Sequence, residues 1–353
     1  MDYLLSKKQY QYLRTANQSA NALVPELQQV ELSKSELKEL EQKGYMKDGR
    51  MTEMIASVFK TICIPLTVQR QRLINLDVTI EQVLYYSDDQ PIVCVSEGVE
   101  EIKVECPYNN EDDLEAMSQY LGGSLLKGMS LELHLPTLEA LVLAGIWDCV
   151  RRENFENIFK NDLVDSIRKD QLLDFIEAVD SSQCFCFFIK KMNKLELDRL
   201  LILEQLKRLE QKGLIEGSER ITLKGECFEV IMRFQQIKTM LQLTTALDNG
   251  QVYGSEIFIL QDGVRELILM EIGAEEVSFL SMSSLEVMNL LNAYYEAPDK
   301  FLGDLYDLEV IAETQSQEKM TESKLVRSSK FCTQCGAKRS GESKFCSECG
   351  NKF

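Results

Sequence analysis

The octapeptide LKELEQKG at Leu37–Gly44 returns at Leu206–Gly213 as LKRLEQKG, and only the exchange of Glu39 for Arg208 separates the copies. A second pair, LEAM at Leu114–Met117 and LEVM at Leu285–Met288, lies 77 residues on (114 minus 37) in one copy and 79 (285 minus 206) in the other. Duplication is the economical explanation of two matches at so similar a separation. A duplicated chain is expected to place residues near Leu37–Leu121 and Leu206–Asn292 in equivalent elements. Because each copy has few strands to cover an apolar face, the two sheets are expected to join or pack about a pseudo-twofold axis.

The order of patterns within each copy is the same. Ser33 and Glu36 have capping-box spacing ahead of Leu37 and Leu40, and Gly44 suits the left-handed residue that ends a helix. In the second copy Leu203, Leu206 and Leu209 form the stripe and Gly213 ends it. A long helix is expected next, from Val230, Phe234, Ile237 and Leu241 at helical spacing. The period then falls to two: Ile92–Val95 and the alternating Ile102, Val104 and Cys106 read as strands, as do Ile257–Leu260 and Val264–Ile272 about an Asp262-Gly263 turn. A helix closes each copy, with Leu114, Met117 and Leu121 in one and Leu285, Met288 and Leu291 in the other. Between the copies, Leu138–Arg152 and Leu163–Val179 read as helices that either begin the second half or bridge the halves.

The predicted class is therefore α+β, in two pseudo-repeated halves, each with a winged-helix-like helical start, an antiparallel sheet and a closing helix. Residues 1–124 form the first half, 125–310 the linking helices and second half, 311–330 a polar tether, and 331–353 a small module. A length of 353 residues suits two folded units and a remainder. The N-terminal MDYLLSKKQYQYL lacks a secretory pattern, and the most apolar runs, Leu138–Val150 and Cys184–Ile189, fall well short of the roughly 20 residues that span a bilayer. A cytosolic protein with no transmembrane segment is expected.

The last module is too small for an apolar core and needs a staple. Cys332, Cys335, Cys346 and Cys349 supply it as two CxxCG knuckles, preceded by Phe331 and Phe345. Four thiolates complete a tetrahedral Zn²⁺ shell and leave no position for water, so one structural zinc is expected. The segment resembles the short zinc ribbons appended to many bacterial and archaeal proteins. The other seven cysteines (Cys63, Cys94, Cys106, Cys149, Cys184, Cys186 and Cys227) are scattered, as reduced core thiols are.

Charge and side-chain inventory narrow the function. Acidic residues outnumber basic ones 57 to 39, a net charge of −18 that repels phosphate backbones. The imbalance is uneven, because from Lys324 onward seven basic residues face two acidic ones. One histidine, His134, serves the whole chain, and neither GxGxxG nor GxxxxGK[ST] occurs, so nucleophile-base pairs and phosphate loops have nothing to build on. His134 reads as structural, Asp88-Asp89 and Asp112-Asp113 as turn or helix-start pairs, and CFCFFI at Cys184–Ile189 as a buried element. No catalytic residue is assigned. LEQKGLIEGSERITLKGECF resembles the end of a winged-helix domain, but Glu204, Glu210, Glu216 and Glu219 are interleaved with Lys207, Arg208, Lys212, Arg220 and Lys224. Counterion release on DNA would be small, which favours a packing role.

The helical start LSKSELKELEQKG, with GQVYGSEIFILQDGVRELILMEIG and EVSFLSMSSLEVMNLLNAYY in the second half, resembles the EspG family, the cytosolic chaperones of type VII (ESX) secretion. The resemblance covers Glu31–Tyr295 and is one of pattern. It implies two halves sharing a central sheet and a helical secreted partner held by its tip, and it transfers no binding residue. The expected function is a non-enzymatic protein-binding adaptor, with the turns at Ser87–Gln90 and Gln261–Gly263 as candidate contact points. The rival is a winged-helix transcriptional regulator that carries a zinc ribbon.

Overall fold

Strand β1 (Asp2–Ser6) runs without a loop into helix α1 (Lys7–Ala16). Ser6 makes the junction: its Oγ accepts from the Gln9 amide at 3.1 Å while Gln9 Oε1 accepts from the Ser6 amide at 2.9 Å. The computed structural model describes residues 2–298, apart from 18–20, 25–27, 76–78, 158–163, 180–183, 235–236 and 249–251 and the single positions 89, 123, 196, 264, 274 and 297. Helix α2 (Lys34–Gln42) follows, with the predicted Ser33–Glu36 capping box in place. It ends at Gly44, whose φ of +73° lets the Tyr45 amide reach the Leu40 carbonyl at 2.9 Å. A small hairpin, β2 (Met46–Lys47) and β3 (Arg50–Met51), leads to α3 (Glu53–Cys63). Then come four antiparallel strands, β4 (Thr67–Asn75), β5 (Thr79–Tyr86), β6 (Val93–Glu97) and β7 (Glu101–Glu105), and the closing helix α4 (Glu111–Leu121).

The second half repeats this order. Strand β8 (Glu132–Pro136) passes directly into α5 (Thr137–Asn157), as β1 does into α1. The helix read at Leu138–Arg152 thus begins the second half and does not bridge the two. Three elements are inserted next: β9 (Ser166–Arg168), α6 (Lys169–Ala178) and α7 (Phe185–Met192). Helix α8 (Arg199–Gln211) ends at Gly213, again at φ +73° and with Leu214 N to Leu209 O at 3.1 Å. The hairpin β10 (Ile215–Glu216) and β11 (Arg220–Leu223), helix α9 (Gly225–Arg233), strands β12 (Thr239–Asp248), β13 (Val252–Gln261), β14 (Leu267–Ile272) and β15 (Glu276–Met282), and helix α10 (Ser284–Glu296) complete the copy. Leu37 and Leu206 occupy equivalent helices, and Leu114 and Leu285 occupy the two closing helices.

Two expected helices differ. The stripe Val230, Phe234, Ile237, Leu241 is not one helix, because α9 ends at Arg233 and Leu241 lies in β12. Leu241, Leu243 and Thr245 alternate toward one face there, and pairing with β4 on one side and β13 on the other stabilises the extended chain. The segment Leu163–Val179 begins outside the described residues at Leu163, and its helix starts only at Lys169. Before that, Ser166–Arg168 pairs with β11, which makes a three-stranded sheet in the order β10-β11-β9.

All the long strands form one antiparallel sheet of ten, ordered β1-β7-β6-β5-β4-β12-β13-β14-β15-β8. The order is a palindrome of equivalent strands, so a pseudo-twofold axis passes between β4 and β12. Their register runs from Thr67 opposite Leu247 to Asn75 opposite Thr239, with Gln71 and Leu243 facing each other at the centre. One core, under α1 to α3, holds Tyr10, Leu13, Phe59, Val95 and Val104, and a larger one, around α5, holds Trp147, Phe185, Phe234, Phe258 and Phe279. Val68 packs against the first core and Ile74 against the second, and residues an even number apart on β4 share a face. Both helical layers therefore cover the same side. The opposite side is covered at its middle by α4 and α10, through Leu73, Leu84, Leu241, Ile259, Val287 and Leu291.

Candidate protein-binding surface

The four predicted zinc ligands, Cys332, Cys335, Cys346 and Cys349, lie outside the described residues. All seven other cysteines are free thiols and five are buried. Burial pushes the Cys227 thiol up to about 12 and raises Cys63, Cys94, Cys149 and Cys186 as well. They stay protonated near neutrality, unsuited to nucleophilic attack. Among the described residues, no group of three or more His, Cys, Asp or Glu side chains is placed to hold a metal ion.

His134 projects from β8, the edge strand, on the solvent side of the sheet. Its Nδ1 lies 2.8 Å from Ser278 Oγ and 3.7 Å from Glu276, and its Nε2 lies 4.0 Å from Glu132. The contacts resemble an acid-base relay only in composition. Imidazole and carboxylates are exposed, and 4.0 Å is too long for the hydrogen bond that would orient the ring. The Asp112-Asp113 pair sits in the first turn of α4, where carboxylates meet the positive helix end. Asp113 also accepts from Tyr108 and Gln82, which anchors α4 to the sheet.

The winged-helix-like piece is real as a shape, with β9 as its third strand, but four of its five cations have partners within the protein. Arg208 pairs with Glu204 at 2.7 Å, Lys212 with Glu139 at 2.6 Å and Lys224 with Glu216, while Arg220 donates to Ser166 at 3.1 and 3.2 Å. Most of the cations of α8 and its hairpin are thus engaged within the protein, where a DNA reader would present free cations. CFCFFI belongs to α7, with Phe185, Cys186, Phe188 and Ile189 buried. Asp148 of α5 is fully enclosed there, accepting from the Cys186 amide at 2.9 Å and from Arg151 at 3.1 Å, yet burial still raises its carboxyl.

The two turns proposed as contact points fall at opposite ends of the central strands. Ser87 follows β5, whose end lies beside Thr67, whereas Gln261 ends β13 opposite Thr239. Nine residues of strand separate those levels by roughly 25–30 Å. One turn is tied to α3 through Ser87 Oγ to Ile64 O at 3.1 Å and Ser57 Oγ to Gln90 Oε1 at 3.1 Å, and the other through Lys238 to Asp262 at 3.0 Å. They do not form one site.

What sequence reading missed is the seam between the halves. On the helical side of β4 and β12 the two apolar cores stop at Val68 and Val83 on one side and at Ile74 and Met240 on the other. Between them lie half-buried Arg70, Arg72, Gln242 and Thr244. Arg70 and Arg72 reach Glu81 at 3.4 and 3.9 Å, and Gln242 donates to Glu256. Glu81 and Glu256 are twofold counterparts, each opposite the matching position on its neighbour: Glu81 faces Arg72 and Glu256 faces Thr244. The arginines therefore come only from the first half. A polar floor with apolar walls can admit a side-chain-rich protein element while remaining hydrated when empty. No signal in either strand alone marks it, since it exists only where β4 meets β12. Among the described residues, no helix is long and apolar enough to cross a membrane.

No family model and no curated protein sequence matches the chain. Among solved structures it is similar to the Mycobacterium tuberculosis type VII secretion system chaperone EspG5, whose structure is of the complex with the PE25-PPE41 dimer; the TM-score is 0.47 at 10% sequence identity, covering 82% of this chain and 94% of that one.

Proposed function

We propose that the chain is a non-enzymatic, cytosolic protein-binding adaptor of the EspG type, which holds a helical type VII secretion substrate. The observation that carries the reading is the half-buried seam along β4 and β12, where two helical layers flank a polar strip on a continuous sheet. The ion pairs that engage Arg208, Lys212 and Lys224 weigh against the regulator. An exported helical protein would offer an apolar stripe that aggregates if left bare, and the walls of the seam cover it while the polar floor keeps release feasible.

Co-expression with small helical proteins, followed by size-exclusion chromatography, tests this directly. A true partner co-elutes with the chain. Thr244→Arg, which crowds the seam, should abolish co-elution while moving the thermal midpoint by no more than about 3 °C. If every candidate elutes separately and the protein shifts a DNA fragment at physiological salt, the regulator replaces the adaptor.

The same reading gives the C-terminal module one structural Zn²⁺ on Cys332, Cys335, Cys346 and Cys349, supported by the paired CxxCG spacing. Elemental analysis of reduced, chelator-free protein should find about one zinc per chain, lost in Cys332→Ser/Cys335→Ser. Absence of zinc from the intact protein would refute it.

A further inference from the structure

The two ends of the ten-stranded sheet are β1 and β8, and a free strand edge is a place where another strand can add. At β8 the direction of each backbone group is settled by its neighbours. Leu131 O accepts from Ser281 N at 2.8 Å and Thr137 N donates to Glu275 O at 3.0 Å, so the odd-numbered residues face β15. Glu132, His134 and Pro136 then turn their backbone groups outward. Pro136 has no amide to leave unpaired, which suits a free edge. The Glu132 amide instead donates to Glu226 Oε2 of α9, at a long 3.4 Å.

An open cleft of 490 Å³ lies at the Glu132 end of this edge, lined by residues from Lys127 through Glu132 together with Glu229 and Ser281. Glu229 lines the cleft and Glu226 lies beside it at the Glu132 amide, both exposed on α9, whereas the Glu132 carboxylate points to the opposite face of the sheet with His134. Among the described residues that line the cleft, the one cation, Lys127, already pairs with Glu286 at 3.1 Å. Glu226 occupies the place that a carbonyl of an added strand would take, and its bond is weak enough to be exchanged. At the other edge the charge is reversed: Lys43 Nζ donates to Leu4 O, an outward carbonyl of β1, at 3.2 Å.

We infer that the β8 edge and α9 form a groove that takes an extended, basic peptide segment by strand addition. Backbone bonds to Glu132 and His134 supply the pairing, and Glu226, released from the Glu132 amide, turns with Glu229 to the cationic side chains. The partner is an extended segment with Lys or Arg at alternate positions, chosen over an acidic one by the carboxylates of Glu226 and Glu229. The site is separate from the seam and stands whether or not the seam holds a helical protein.

The test uses the full chain and a fluorescent, end-capped hexapeptide of alternating Lys and Val, titrated by anisotropy. Binding is expected, about tenfold weaker in Glu226→Gln/Glu229→Gln. It should be lost when alternate peptide amides are N-methylated, and absent for the Glu-Val counterpart. Thermal unfolding of the double variant should match the parent, since both carboxylates are exposed. The proposal is overturned if the Lys-Val peptide does not bind, if N-methylation or the double substitution changes nothing, or if the Glu-Val peptide binds equally. Dimerisation of the chain that the peptide competes away would assign the edge to a second copy and overturn it too.

Discussion

The two octapeptides differ at one position, and that position rewires the charges around otherwise equal helices. In the first half Glu39 lies 2.8 Å from Lys43 and accepts from Gln9, the third residue of α1, at 3.1 Å. Lys43 then stays at the sheet edge beside Leu4 O. In the second half Arg208 stands where Glu39 would be and pairs backward with Glu204, while the third residue of α5 is Glu139. Lys212 is drawn to that buried carboxylate and away from the edge. The backbone of the repeat is thus set by Leu, Gly and capping residues common to both copies, while charge is free to diverge. The divergence leaves a cation at one edge and carboxylates at the other.

The largest test of the comparison concerns the cores. Trp147 is fully buried, donates to Cys227 O at 3.0 Å and meets Phe279 edge-on at 5.0 Å. Trp147→Ala should cost about 3–5 kcal/mol, and Leu13→Ala in the smaller first core about 2–4 kcal/mol. Because the halves share one sheet, chemical denaturation should show a single transition in both variants. Two transitions would show that the halves unfold independently and would break the picture of one cooperative sheet.

The rewired lysines come next. Lys212→Met leaves Glu139 buried without its cation and should cost about 1–2 kcal/mol, discounted because Lys212 itself is partly exposed. Lys43→Met, whose partners are exposed, should change stability by less than about 0.5 kcal/mol. Equal effects in denaturant titrations would remove the asymmetry argued from Arg208. Gly44→Ala and Gly213→Ala sharpen the equivalence instead: both positions have φ +73° with open space around the missing Cβ, so each should cost about 1 kcal/mol by the same backbone strain. A difference well beyond error would mean the two helix ends are not alike.

The smallest effect lies at the helix starts. The Ser33 hydroxyl and amide hold the Glu36 carboxyl down at about 2, whereas α8 is capped by Asp198 through the Leu201 amide at 2.7 Å. A depressed carboxyl stabilises above its unfolded value, near 4.5, and that contribution fades as pH falls toward about 2. Ser33→Ala should therefore lower the thermal midpoint slightly at pH 7 and by less at pH 2.5. An equal loss at both values would separate the cap from the Glu36 charge.

Much of this architecture was legible from single residues. Gly44 and Gly213, the Ser33–Glu36 box and the alternation through Ile102, Val104 and Cys106 are local signals, and local backbone preferences respond to them. Leu241 shows where local signals stop. Its spacing from Val230, Phe234 and Ile237 fits a helix, and its alternation with Leu243 and Thr245 fits a strand. Pairing with β13 and with β4, the latter more than 160 residues earlier (239 minus 75), selects the strand. Likewise β1 is too short to show a period, and it became visible through its partner β7.

The sequence by itself determined that the protein is a duplication and which helix closes each copy, and it set four cysteines at paired CxxCG spacing. Those are properties of neighbouring residues, and neighbours in sequence set dihedral preference and spacing. Only the tertiary structure decided that the copies join through β4 and β12 and that Arg70 and Arg72 meet Gln242 and Thr244 at a seam. It alone also set the outward amide of Glu132 against Glu226. Each of these arises from residues distant in the chain, brought together when the sheet buries faces that neither half covers alone.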